Sequence, residues 1–171
     1  MSIEEILKDK SVKPKQKTEK LAGLLLNKSI SGAELIAFAK DAKDPIKATC
    51  IEAIEFATKK KPELADQKLL EFVTNTLTEN APRIKWESAK VIGNIAQVFP
   101  RKLEKPVGQL LINTRHEGTV VRWSAAFALA EIFKLKTNLN TELRPQLEKI
   151  VKNEEKGSIK KIYLKALKET P

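Results

Sequence analysis

Arg83-Ile84-Lys85-Trp86-Glu87-Ser88-Ala89 and Val120-Val121-Arg122-Trp123-Ser124-Ala125-Ala126 are two copies of one pattern: an apolar residue, a base and a tryptophan, followed by small residues, after Glu87 in the first copy and directly in the second. Outward from these copies the apolar-basic pair recurs as Ile46-Lys47 and Ile159-Lys160, so the four pairs stand at steps of 38, 37 and 38 residues. Each pair opens a stretch of helical periodicity: Ile46 to Lys60, Arg83 to Phe99, Thr119 to Lys134 and Ser158 to Glu169. A fixed period of this length marks a stacked array in which no unit buries its apolar face alone.

Between these helices lie four more helical stretches, Ser31 to Lys40, Glu63 to Leu77, Leu103 to Thr114 and Thr141 to Lys152. The unit is therefore a helical hairpin. Asp44-Pro45, Asn80-Ala81-Pro82, Glu117-Gly118 and Lys156-Gly157 supply the turns within the pairs, and Pro62, Pro100 and Asn138-Leu139-Asn140 separate one pair from the next. Pro106 and Pro145 are expected in the first turn or so of their helices, where a missing amide costs little. Ahead of the first clear pair, Ile3 to Lys8 and Lys15 to Asn27 read as capping helices. The expectation is an all-α chain of roughly ten helices in four to five hairpins, one domain over residues 1–171, with 1–30 as cap and 31–170 as four repeats of about 38 residues. The Lys8 to Lys20 stretch holds six lysines and Pro14, and reads as a solvated connection or as a basic arm.

The chain has 171 residues, 42% of them hydrophobic, enough for a continuous core. Its formal charge of +10 leans toward acidic partners, while 22 acidic residues interspersed among 32 basic ones keep the excess moderate. One cysteine, Cys50, precludes an internal disulfide, and with one histidine, His116, no zinc spacing exists. No cofactor or metal is expected. The acidic Met1-Ser2-Ile3-Glu4-Glu5 start does not resemble a secretory signal, and the expected location is cytoplasmic, away from membranes.

The pattern resembles the HEAT repeat family, of the armadillo-like α-solenoids, whose second helix opens with an apolar residue, a base and small residues. The resemblance covers roughly residues 31–170 and implies a right-handed α-α superhelix. HEAT arrays also tend to carry an acid six positions before the base; here those positions are Asp41, Glu79, His116 and Glu154, so the third departs. It implies a structural use for Lys47, Lys85, Arg122 and Lys160, with acids bridging the hairpin turn or shared between repeats as a ladder. It further implies that second helices line a concave surface.

A rotation of ~100° per residue sorts each second helix into faces. Ile84, Ser88, Val91, Ile92, Ile95 and Phe99 gather inward, as do Val121, Ala125, Ala128, Leu129 and Ile132. Trp86, Lys90, Gly93 and Gln97 share the opposite face of one helix, and Trp123, Phe127, Ala130 and Lys134 that of the next. In the last helix this face holds Lys161, Lys165 and Lys168; in the first, Ala48, Glu52, Glu55 and Lys59. The tryptophans either fill gaps between stacked helices or present part of each ring to a partner. Cys50 falls on a core face with Ile46, Ala53, Ile54 and Ala57, His116 in a turn, and Tyr163 on the core side of the last helix.

No phosphate-cradling glycine loop and no nucleophile-base grouping can be assembled from these residues. A weaker resemblance links the chain to the HEAT-like DNA alkylation repair glycosylases, which use a basic groove with tryptophans and an essential aspartate. Lys90 and Phe127 stand one turn after Trp86 and Trp123, so the sequence places no carboxylate in the aromatic pocket and no catalytic residue is expected. The expected function is a non-enzymatic scaffold that binds an acidic protein or peptide along a groove of Trp86, Lys90, Gln97, Trp123, Phe127, Lys134, Lys161 and Lys165. The alternative partner is DNA or RNA.

Overall fold

The computed structural model describes residues 1–171 as ten α-helices joined by turns, with no strand. They are α1 (Ile3–Lys8), α2 (Pro14–Leu26), α3 (Gly32–Lys40), α4 (Asp44–Lys60), α5 (Gln67–Thr76), α6 (Pro82–Ile95), α7 (Glu104–Asn113), α8 (Thr119–Phe133), α9 (Asn140–Asn153) and α10 (Gly157–Glu169). Local chemistry sets several boundaries. Ser2 and Ser31 close capping boxes with Glu5 and Glu34, and the Asp66 carboxylate accepts the Leu69 amide at the start of α5. Proline occupies the first turn of α2, α4 and α6. Lys28, at φ 63°, ends α2: its amide reaches the Leu25 carbonyl and the Ser29 amide reaches Leu24, a Schellman closure without the usual glycine.

Some boundaries differ from the periodicity. Glu63 belongs to a separate 3-10 turn, Pro62–Leu64, because Ala65 is extended and Asp66 restarts the helix. The helix expected to reach Phe99 ends at Ile95 and tightens into a 3-10 turn over Ala96–Val98. Pro106 is in the first turn of α7, but Pro145 lies one turn deeper in α9, where it removes a helical amide.

The helices form five hairpins, α1-α2 through α9-α10, and two layers. In the inner layer α2, α4, α6, α8 and α10 stack in order along the array. The outer helices touch less: α3 packs on α5 and α5 on α7, whereas α7 and α9 barely meet. Tight packing on one side and splaying on the other curves the stack toward the inner helices. The core runs from Ile6 to Ala166, and every inward residue expected on α6 and α8 is buried except Phe99, which is half-buried. Ser88 is buried through its hydroxyl contact with Thr76, 2.7 Å away on α5. Ile46 departs from its buried equivalents Ile84, Val121 and Ile159 and is exposed.

Polar side chains tie successive hairpins together. The Asn94 amide donates to the Glu55 carbonyl and Thr58 hydroxyl of α4, and the buried Asn113 amide donates to the Leu77 carbonyl. The acid-base ladder exists, but its carboxylates join neighbouring hairpins instead of bridging a turn: Lys47 pairs with Glu79 at 3.1 Å and Arg122 with Glu154 at 3.1 Å. Within the turn Arg122 donates to the His116 and Glu117 carbonyls. Lys85, whose rung would fall to His116, donates only to the Leu77 carbonyl, and partial burial pulls its pKa down.

Candidate binding groove

The inner helices α6, α8 and α10 stack in order, and Trp86, Trp123 and Lys161 are equivalent positions on them, as are Lys90, Phe127 and Lys165. The two tryptophans, equivalent in sequence, differ in setting. Trp86 is half-buried, and its indole N-H donates to Glu87 Oε1 at 2.9 Å. Trp123 is 40% exposed, and its indole N-H has no partner in the chain. Its ring lies parallel to Phe127, centroids 6.0 Å apart and planes within 8°.

Phe127 reaches into the neighbouring hairpin and presses on the α6 backbone at Gly93. A Cβ placed on Gly93 would come within 2.4 Å of the ring, so only glycine leaves room for this contact. Val120, 51% exposed, stands three residues before Trp123 on the same face. Val120, Trp123 and Phe127 thus make an apolar stripe whose base is fixed by backbone contact and whose top is open.

The cations of the middle helices are largely engaged. Arg83 pairs with Glu52 at 2.7 Å, and Glu52 also accepts from the Thr18 hydroxyl, joining α2, α4 and α6. Lys90 stands 3.1 Å from Glu87. The side chain of Glu87 is 4% exposed; burial pushes its pKa up, and Lys90 counters part of the rise. A carboxylate therefore does stand beside Trp86, contrary to the sequence expectation. That expectation rested on residues one turn away, whereas the indole folds onto the carboxylate of its own neighbour.

At the α10 end Lys161 and Lys168 make no ion pair, and Lys165 has only a loose 4.0 Å pair with the exposed Glu169. Gln97 and Lys134 lie eleven residues beyond their tryptophans, roughly 16 Å along the helices at ~1.5 Å per residue. They are exposed but remote from the aromatic stripe, and Lys134 pairs with Glu131 at 2.9 Å. Sequence reasoning missed Val120, Glu87 and the Arg83-Glu52 pair. Val120 carried a readable signal in its i, i+3 spacing to Trp123; the Arg83-Glu52 pair, 31 residues apart, carried none.

The remaining singular residues lie apart from the groove. Cys50 is buried, its thiol pushed up to about 12 by burial, and Tyr163 is buried in α10. No three His, Cys, Asp or Glu side chains converge as a metal set, and no helix is long and apolar enough to cross a membrane.

Neither a family model nor a curated protein matches this chain. Solved structures do. A computationally designed armadillo repeat protein for modular peptide recognition superposes with a TM-score of 0.68 at 18% identity, covering 80% of this chain and 63% of that one. The fold is an α-solenoid of the HEAT/armadillo type. A second designed armadillo repeat protein has a TM-score of 0.63 at 18% identity, with the same coverage. A third, in complex with the peptide (KR)4, has a TM-score of 0.66 at 16% identity and covers 98% of this chain and 85% of that one. This solenoid thus spans under two thirds of the first two structures and most of the third. At such identities the likeness establishes the architecture, a right-handed helical superhelix, and leaves the ligand to the chemistry of the groove.

Proposed function

We propose that the solenoid is a non-enzymatic scaffold that binds an extended segment of a partner protein across its inner helices, with an apolar residue on Trp123 and Phe127 and acidic residues toward α10. The observation that carries this reading is the Trp123-Phe127 stack, exposed above and locked below onto Gly93. A rigid, partly exposed aromatic pair provides large contact area at low ordering cost, the usual basis of a binding hot spot.

The acidic character of the partner follows from which cations remain available. Arg83 and Lys90 are neutralised within the groove, while Lys161, Lys165 and Lys168 line its α10 end, in a region (residues 134–171) where ten bases face five acids. The designed neighbour in complex with (KR)4 supports a peptide as the class of ligand for this architecture, while the charge here calls for the opposite sign.

Fluorescence anisotropy with a labelled peptide carrying one leucine followed by glutamates tests the proposal, with single- and double-stranded oligonucleotides alongside. Trp123→Ala should weaken peptide binding at least tenfold, and Lys161→Glu/Lys165→Glu should weaken it by a similar factor. Oligonucleotide binding that survives physiological salt, with no peptide binding, would replace this reading with the nucleic-acid one, since phosphate contacts announce themselves by steep salt dependence.

A further inference from the structure

Away from the inner face the outer layer is not continuous, since neither α1 and α3 nor α7 and α9 pack closely. Where α7 and α9 fail to pack, a cleft of about 540 Å³ opens at the hairpin-turn edge, floored by Leu111 and Ile150 and otherwise polar. Its internal charges are already partly settled. Arg122 is saturated by Glu154 and two carbonyls, so this pair forms a neutral wall. The last carbonyls of α7 are taken too: Leu110, Ile112 and Asn113 accept turn amides, and Leu111 accepts the Thr114 hydroxyl. No open row of acceptors remains on that side.

The donors, by contrast, are free. The side chains of Arg115 and Lys149 line the cleft and make neither an ion pair nor a hydrogen bond within the chain. His116 Nδ1 accepts the Gly118 amide at 2.8 Å, so the neutral ring carries its proton on Nε2, as a further donor. Asn153 adds an amide, and Glu155 is the one acid left without a cation. Two cations and an imidazole N-H outnumber that carboxylate around a space of the size used for small-molecule sites.

We propose that this cleft binds a small anionic molecule, one bearing a carboxylate or a phosphate on a compact apolar body. The anion is held by Arg115 and Lys149, and the body rests on Leu111 and Ile150. Arg115 supplies a planar fork suited to either oxyanion, and Lys149 a point charge from the opposite helix. The site is independent of the groove reading: no groove residue lines it, and Arg122, its one residue on an inner helix, is held by Glu154 and the turn carbonyls.

The experiment titrates the full chain with inorganic phosphate, phenyl phosphate and benzoate at constant ionic strength, following backbone amide resonances. The expected result is saturable shifts confined to residues 111–118 and 146–156, with phenyl phosphate or benzoate binding at least threefold more tightly than phosphate alone. The order of those two probes assigns the oxyanion. Arg115→Gln/Lys149→Gln should weaken binding at least tenfold, whereas Trp123→Ala should leave it unchanged; both positions are exposed, and circular dichroism confirms that each variant folds. Non-saturating shifts spread over the lysine surface, or unaltered binding by the double variant, would overturn the proposal.

Discussion

His116 shows how one residue keeps half of a role and drops the other. Glu154, its equivalent one repeat later, accepts the Lys156 amide two residues on and also pairs with Arg122 of the preceding hairpin. Burial pushes the Glu154 carboxyl up, but that amide and the guanidinium outweigh it and hold the pKa below the usual value. His116 reproduces the first contact, accepting the Gly118 amide, but offers Lys85 no negative charge. His116→Glu should therefore complete the missing rung and raise stability by up to ~1 kcal/mol, read as a higher urea midpoint; an unchanged midpoint would show that Lys85 is out of reach. Glu87 makes a second prediction. Its pKa is raised from 4.5 by burial, so between 4.5 and the folded value the folded chain holds a proton that the unfolded chain releases, while above that interval the carboxylate is charged and pairs with Lys90. The stability this contributes is fully present below pH 4.5 and is lost as pH rises through the folded value. Glu87→Gln should remove that decline, measured as the difference between wild-type and variant unfolding free energies from pH 4 to 8.

At the scale of one helix, α8 is where core and candidate site share a wall. Its inward residues were legible because period 3.6 sorts Val121, Ala125, Ala128, Leu129 and Ile132 from the rest, and all five are buried. The fate of the outward residues was not legible, because it depends on α6: Phe127 finds a gap at Gly93, and Trp123 is left above it. Gly93→Ala tests this coupling. In an isolated helix the change gains about 1 kcal/mol, but here the new methyl meets the Phe127 ring, and overpacking of this kind costs typically 1–3 kcal/mol. The expected result is a net loss of about 1 kcal/mol with a shift in tryptophan emission, partly reversed by adding Phe127→Leu. A stabilised variant with unchanged emission would show that the ring moves aside freely.

For the molecule as a whole, the period of the apolar-basic pairs carried most of the architecture, since each pair marks where a second helix enters the stack and each hairpin contacts its neighbours. The groove was only half legible. Equivalent positions predict which side chains share a row, but the free charge of that row depends on partners 31 to 34 residues away, such as Glu52 for Arg83. Lys90 was further taken by Glu87, its own neighbour three residues back. In the proposed groove, therefore, the cations Arg83 and Lys90 of the middle helices are paired with acids of the chain, while Lys161 and Lys168 of α10 make no ion pair.

The most direct test of this account uses the two indole N-H resonances in a nitrogen-15 spectrum, one for each tryptophan, during titration with an acidic peptide carrying a leucine. Trp86 is tied to Glu87 and Trp123 is unpartnered, so the account predicts that the Trp123 signal moves saturably while the Trp86 signal shifts little. Binding that leaves both indoles in place and perturbs the outer helices would contradict it.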